Sequence, residues 1–218
     1  MSGPEPWEVR LPEGAVRTRG RAHVLLRFPE GGEEDVAVPV SVGRRLAAEG
    51  RVPSCRAEAL ALVRSVEEAC ARERVEELLG RRDYASRELA ERLGRDGFSV
   101  EVVRERVGRA VASGLVDDAR YAGAFARAKV LAGWGRLRIE RELERRGVSP
   151  RDLPGWPEEF LGEGDERERA LTAASRRRLT GRNDVARIAR FLAGRGFAPS
   201  LALDVAREVA GAGAPDDA

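Results

Sequence analysis

From Pro53 onward, apolar residues recur three and four positions apart, a spacing that places them on one face of a helix. The stretch before Pro53 has a different pattern. Two mostly apolar runs, 22–28 and 36–40, flank a segment at 29–32 that contains two adjacent glycines, and they predict two short strands joined by a turn. Residues 1–15 are rich in Pro, Gly and Glu and predict a loose lead-in. The pattern thus predicts a small strand-containing extension followed by a helical body.

The strongest signal is an internal repeat of about fifty residues, marked by Gly97, Gly147 and Gly196. In each copy, apolar residues lie eight and four positions before the glycine and one position after it: Leu89, Leu93 and Phe98; Ile139, Leu143 and Val148; Ile188, Leu192 and Phe197. The pair four positions apart forms an apolar stripe on one helix. The glycine is expected just past the helix end, where the backbone turns left-handed.

Each copy predicts an upstream helix, a central helix that ends at the glycine, and a third helix. The upstream helices are predicted at about 67–80, 118–131 and 166–179, and the third helices at 99–113 and 199–210. Their inward residues are predicted to be Ala71, Val75 and Leu78; Tyr121, Phe125 and Ala128; Ala170, Leu171 and Ala174. Serines and prolines at the starts of the third helices are predicted N-caps and first-turn residues: Ser99, Ser149, Pro150 and Pro199.

The middle copy departs from this scheme, because Pro154, Gly155 and Pro157 interrupt its third helix. We therefore expect a short helix or a loop there.

These elements predict an all-α dominated fold, a tandem array of three three-helix repeats that is curved and elongated, with a small N-terminal strand-containing extension. The predicted domains are the extension with a β-hairpin at 1–52 and repeats at 53–117, 118–163 and 164–218, the last including a tail. A unit of this size buries little alone, whereas stacked units share buried surface. Three independent helix-turn-helix units, or a single compact bundle, are the alternatives.

Composition argues against an enzyme. Charged residues make up 35% and aromatic residues 5% of the chain, and its one histidine, His23, lies on a predicted strand. A catalytic pair based on histidine and a histidine-containing metal cluster have no candidates. The Gly133–Arg136 segment lacks the spacing of a phosphate-binding loop. We therefore expect no catalytic residue, no cofactor and no metal.

The cysteines and the hydropathy pattern bear on location. Cys55 and Cys70 form no CxxC motif, so neither a disulfide framework nor a zinc site is expected. No apolar run approaches the roughly 20 residues that a membrane helix needs, and no signal peptide is visible. These features predict a cytoplasmic protein without membrane contact.

Net charge is only +2, so any surface for an acidic partner must be local. Between Asp118 and Val148 there are eight basic and four acidic residues. Arg138, Arg141 and Arg145 share one face of the central helix, and Glu142 is expected to pair with Arg138 or Arg145. The predicted partner-binding residues are the eight basic side chains of this stretch: Arg120, Arg127, Lys129, Arg136, Arg138, Arg141, Arg145 and Arg146.

The alternative interpretation of this stretch is an ordinary solvated helix face. A second and more weakly placed basic cluster is Arg176–Arg178, for which a solvated face is the favoured interpretation.

The segments 118–129 and 133–148 together resemble the RecX family. Its pattern reads approximately D-x-R-[FY]-A, then F-x-R, then G-x-x-[RK]-I-x-x-E-L-x-x-[KR]-G-[IV], and this chain matches it at nearly every marked position. The first copy adds the segment 86–89 and the positions Leu93 and Gly97–Phe98. The resemblance covers about residues 67–211, and the N-terminal extension lies outside the core pattern.

The resemblance implies three tandem three-helix units and a regulator of the RecA recombinase, acting in homologous recombination, DNA repair and the SOS response. Such proteins bind RecA or its filament on single-stranded DNA, lie in the helical groove, and typically inhibit ATP hydrolysis and strand exchange. We expect a monomer. The alternative function is a direct DNA-binding module of helix-turn-helix type, and weak direct DNA contact is compatible with either role.

Overall fold

The computed structural model describes residues 6–12, 20–28, 32–162 and 165–211. Helices dominate the structure, and a small antiparallel sheet lies near the N-terminus. The chain divides into two units, Met1–Val116 and Asp117–Ala218. Within the described ranges, no helix has the length and hydropathy that crossing a bilayer requires.

The sheet of the first unit has three strands in the order β1 (Trp7–Arg10), β2 (Arg21–Phe28) and β3 (Gly32–Pro39). The two expected strands are therefore confirmed, and of the predicted turn only Gly32 lies within the described residues. The loose lead-in predicted over 1–15 is wrong at 7–10, because β1 pairs antiparallel with β2 and the side chain of Trp7 is buried. Alternating residues of β2 form the buried face of the sheet: Ala22, Val24, Leu26 and Phe28.

Helices of the first unit begin earlier than the hydrophobic pattern predicts. Helix α1 (Val40–Glu49) follows β3 directly, so Val40 belongs to a helix and not to the predicted second strand. Gly43 of α1 lies against the sheet: a side-chain carbon there would be 2.3 Å from Ala22 Cβ. Helix α2 (Arg56–Leu79) is 24 residues long, and its predicted inward residues are buried. Helices α3 (Ser86–Arg95) and α4 (Val100–Ala112) complete this unit.

The second unit contains α5 (Asp118–Leu131), α6 (Arg136–Arg145), α8 (Asp165–Ser175), α9 (Asp184–Gly194) and α10 (Pro199–Gly211). Where the middle copy was expected to lack a full third helix, the chain forms a 3-10 turn (Pro150–Asp152) and the four-residue helix α7 (Glu158–Leu161). The core around α8, α9 and α10 consists of small and branched apolar residues with one aromatic ring: Ala170, Ala174, Ile188, Leu192, Phe197, Ala202, Val205 and Ala206.

The repeat predicted from the glycines is confirmed at atomic detail. Gly97, Gly147 and Gly196 have φ angles of 96°, 81° and 93°, in the left-handed region. In the first copy the amide of Phe98 donates to Leu93 O at 3.3 Å and that of Gly97 to Gly94 O at 3.0 Å. The other two copies repeat both bonds, so each central helix ends in a Schellman motif. All nine apolar positions of the repeat are buried.

Two details of the predicted helix starts are wrong. Ser99 and Ser149 occupy N-cap positions, but neither side chain accepts a capping hydrogen bond. The hydroxyl of Ser99 instead donates to the buried carboxylate of Glu67 on α2 at 3.0 Å, and its amide donates to the same carboxylate at 2.6 Å. Because the Ser99 hydroxyl donates to a residue of another helix, Ser99 links α2 to the start of α4. Pro150 and Pro199 do lie at first-turn positions.

Two upstream helices also differ from expectation, α5 in its inward face and α8 in its length, whereas the predicted inward residues of α8, Ala170, Leu171 and Ala174, do pack in the core. On α5 the buried residues are Ala122, Gly123 and Ala126, whereas Ala128 is exposed. Helix α8 ends at Ser175, short of the predicted end at 179, because the chain leaves the helix there for a loop that leads into α9.

Candidate partner-binding surface

An aromatic cluster lies on α5 and on the loop between α5 and α6 in the second unit. The rings of Tyr121 and Phe125 are stacked with centroids 6.2 Å apart, and Trp134 meets Phe125 edge-on at 6.4 Å. All three rings are half-buried. A second aromatic pair, Trp156 and Phe160, lies close by in sequence with centroids 5.6 Å apart. Partly exposed rings of this kind provide large contact area at low conformational cost.

Four of the eight predicted partner-binding cations stack on these rings. The guanidinium of Arg138 lies 3.8 Å from the centre of Trp134, and Arg146 lies 4.8 Å from that of Phe125. Lys129 Nζ contacts both rings, at 4.8 Å from Trp134 and 5.2 Å from Phe125. The fourth contact is Arg127 over Phe160 at 4.9 Å. These cation–π contacts fix part of the basic surface in place.

Three other predicted residues on α6 are exposed to solvent. Arg136 pairs with Glu140 at 2.7 Å, and Arg141 donates to its own helix at Leu137 O. Arg145 donates to Glu142 at 3.0 Å and is 69% exposed.

Glu142 also accepts a hydrogen bond from Arg146, and together Arg146 and Arg145 hold the pKa of Glu142 below its ordinary value. The expected pairing of Glu142 with Arg145 is therefore confirmed, and Arg146 is its second partner. Arg120 is likewise exposed at the start of α5, where Asp117 caps the helix by accepting from its amide at 2.9 Å.

Arg138 differs from Arg141 and Arg145 because it lies against the turn between α9 and α10. A side-chain carbon on Gly196 would be 2.3 Å from Arg138 Cβ, so the two backbones are in direct contact. The structure thus separates the predicted common face into an exposed part, Arg141 and Arg145, and a half-buried part, Arg138.

The start of α6 is bonded to that same turn. The amide of Gly135 donates to Arg195 O at 2.9 Å, and the amide of Leu137 donates to Gly196 O at 3.0 Å. The amide between them, of Arg136, donates to Glu166 of α8 at 2.9 Å. These bonds satisfy amides that a helix start leaves unpaired, and they hold the middle copy against the third.

Sequence reasoning missed the aromatic cluster. The low overall aromatic content concealed five aromatic residues between 121 and 160, and their local density was the available signal. Among the described residues, no group of three or more His, Cys, Asp or Glu side chains is placed to hold a metal ion.

Comparison with known proteins identifies the fold and the family. The family model for the second three-helix domain of RecX matches residues 117–152. The regulatory protein RecX of Acidithiobacillus ferrooxidans is 36% identical over 142 residues, which cover 64% of this chain and 88% of that protein. The chain belongs to the RecX family. The RecX of Halorhodospira halophila is 34% identical over 146 residues, covering 64% of this chain and 86% of its own length.

Solved RecX structures share the fold. A crystal structure of regulatory protein RecX aligns with a TM-score of 0.57 at 18% identity, over 94% of this chain and 97% of that one. RecX from Lactobacillus salivarius aligns with a TM-score of 0.55 at 15% identity, over 66% of this chain and 97% of its own. The relatives are named regulatory proteins. The match to the second RecX domain spans α5, α6 and the loop between them, a stretch that includes the rings of Tyr121, Phe125 and Trp134.

Proposed function

We propose that this RecX family member regulates the RecA recombinase by binding RecA or its filament on single-stranded DNA, and that it lowers ATPase and strand-exchange activity. Family membership supports this role, since the relatives carry the name regulatory protein RecX. The observation that carries the proposal is the surface on α5 and α6, where cations and half-buried aromatic rings lie together. We propose further that the protein acts as a monomer.

The composition of this surface suits a protein interface that lies close to phosphates. Arginine, tryptophan and tyrosine are the residues most enriched among those that dominate binding energy at interfaces. The half-buried rings would form the centre of the contact. The exposed cations Arg136, Arg141 and Arg145 would form its rim and attract an acidic partner. All eight predicted cations belong to the proposed site. The four that lie over aromatic rings would contribute by orienting those rings.

The direct test is RecA-catalysed ATP hydrolysis on single-stranded DNA with and without the purified protein. We expect slower hydrolysis at sub-stoichiometric to equimolar amounts, and co-sedimentation of the protein with filaments. Unchanged hydrolysis together with no co-sedimentation would refute the proposal.

Charge reversal at the exposed rim locates the contact. The double variant Arg141→Glu/Arg145→Glu should raise the concentration for half-inhibition about tenfold or more, because each reversed charge repels an acidic partner at a cost of the order of kcal/mol. Arg64→Glu/Arg87→Glu is the matched control, with the same change in charge at exposed helix positions of the first unit. Equal inhibition by both variants would place the contact elsewhere. Circular dichroism checks that both remain helical.

A further inference from the structure

The third repeat carries a denser basic surface than α5 and α6 do. Residues 176–195 include seven arginines and one acidic residue, Asp184. We call residues 176–182, which connect α8 to α9, the arginine loop. Five of the seven arginines are exposed: Arg176, Arg177, Arg178, Arg182 and Arg190.

These five arginines differ from most others in the chain. Most exposed arginines of the first unit pair with a carboxylate, as in Arg64–Glu68 at 3.0 Å and Arg87–Glu91 at 3.0 Å. Within the described ranges, none of the ion pairs uses an arginine of the loop or Arg190. In a chain with nearly equal numbers of basic and acidic residues, a cluster without carboxylate partners leaves a strong local positive potential.

The single acidic residue of this stretch, Asp184, accepts hydrogen bonds from the arginine loop. The carboxylate of Asp184 accepts from the amides of Thr180 and Gly181, both at 2.8 Å, and from the Thr180 hydroxyl at 3.0 Å. Arg187 donates to Asp184 and also to the carbonyl of Arg178. The hydrogen bonds from Arg187 and from the two amides lower the pKa of Asp184 to about 2. The carboxylate of Asp184 is thus engaged within the loop, and its hydrogen bonds hold the loop backbone that carries the exposed arginines.

An aromatic ring lies beside the loop. Phe191 of α9 is half-buried, with the guanidinium of Arg177 at 4.7 Å from its centre and that of Arg195 at 5.1 Å. An aromatic face and guanidinium planes both accept a stacked nucleobase, provided that the base is free of its own helix. A duplex offers no such free face.

We propose that the arginine loop and the adjoining face of α9 bind the phosphate backbone of single-stranded nucleic acid, with Phe191 and Arg177 as a stacking platform for a base. Arginine forks match phosphate oxygens in a bidentate geometry, and the five exposed arginines provide several such contacts. This site goes beyond the proposed regulation of RecA, because it contacts nucleic acid directly and requires no RecA.

The test is fluorescence anisotropy of a labelled oligo(dT) of about 30 nucleotides with the full chain and no RecA present. The variant Arg176→Gln/Arg178→Gln/Arg182→Gln should bind at least tenfold more weakly. The slope of log affinity against log salt should fall by about 2, at about 0.7 for each lost phosphate contact. The matched control is Arg64→Gln/Arg72→Gln/Arg87→Gln, which removes three exposed arginines from the first unit. It should change affinity less than twofold.

Three results would overturn the site: no binding by the parent chain at low salt, equal loss in both triple variants, or tighter binding to a duplex of the same length. The assay contains no RecA, so its failure leaves the proposed regulation of RecA standing, and failure of the ATPase test leaves this site standing.

Discussion

Replacing Gly135 with alanine is expected to destabilise the second unit by about 3 kcal/mol. The added methyl group would lie 2.3 Å from the carbonyl carbon of Gly196, 2.3 Å from the amide nitrogen of Phe197 and 2.4 Å from Gly196 O. All three are backbone atoms and cannot rotate away, so the start of α6 must move off the turn between α9 and α10. Such overpacking typically costs about 1–3 kcal/mol.

The same movement lengthens two hydrogen bonds. Gly135 and Leu137 donate to Arg195 O and Gly196 O at 2.9 and 3.0 Å, and each bond contributes about 1 kcal/mol net. The backbone angles of Gly135, φ −81° and ψ 160°, suit any residue, so the expected cost comes from lack of space and not from backbone strain.

The matched control is Gly194→Ala. Gly194 is the last residue of α9 in the same unit, and a side-chain carbon there would meet nothing within 4 Å. It should be neutral or stabilise the unit by up to about 1 kcal/mol, the helix preference of Ala over Gly. Urea denaturation followed by circular dichroism measures both variants, and a loss of 3 kcal/mol lowers the midpoint by about 1.5 M. Equal stability of the two variants would mean that α6 does not pack on the α9–α10 turn.

Two further substitutions test the cores of the units. Leu143→Asp should cost about 4 kcal/mol or more and unfold the second unit, because a fully buried site would receive an unpaired charge; a variant that keeps its helicity and its midpoint would contradict the buried position of Leu143. Glu67→Ala should destabilise the first unit by about 2 kcal/mol, since it leaves the amide and hydroxyl of Ser99 without their acceptor. The variant Ser99→Ala keeps the amide bond and should lose less, so a larger loss in Ser99→Ala would argue against this account.

The repeat was predictable because its signals are local. A glycine one step past a helix end, with an apolar residue behind it, encodes the Schellman motif within about six residues. Gly97 and Phe98 therefore predict both the end of α3 and the burial of the Phe98 ring. The family resemblance rested on the same local spacing, carried by α5 and α6.

Features that depend on distant partners escaped prediction. Ser99 has the sequence pattern of a helix cap, yet its hydroxyl donates a hydrogen bond to Glu67, 32 positions earlier in the chain. Strand β1 has only four residues, too few to show alternation, and it forms because β2 lies beside it. The need for glycine at position 135 is set by Gly196, 61 positions later in the chain, because the two backbones lie against each other.

The candidate site shows a similar limit, because sequence alone could not separate arginines that stabilise the fold from arginines that are free to bind. In the first unit most exposed arginines have a carboxylate partner, so their charge is largely neutralised within the protein. The guanidinium of Arg138 lies over Trp134, and a guanidinium used in this way keeps its edge donors for a partner, which lysine cannot do. Arg146 lies over Phe125 and donates to Glu142, so part of its hydrogen-bonding capacity is used within the protein. Among the residues that the structure describes, no carboxylate pairs with the exposed arginines of the arginine loop, and Arg177 alone of them lies over a ring. The contacts that each arginine makes within the protein therefore indicate how much of its hydrogen-bonding capacity is left for a partner. This comparison favours a protein contact at α5–α6 and a phosphate contact at the arginine loop.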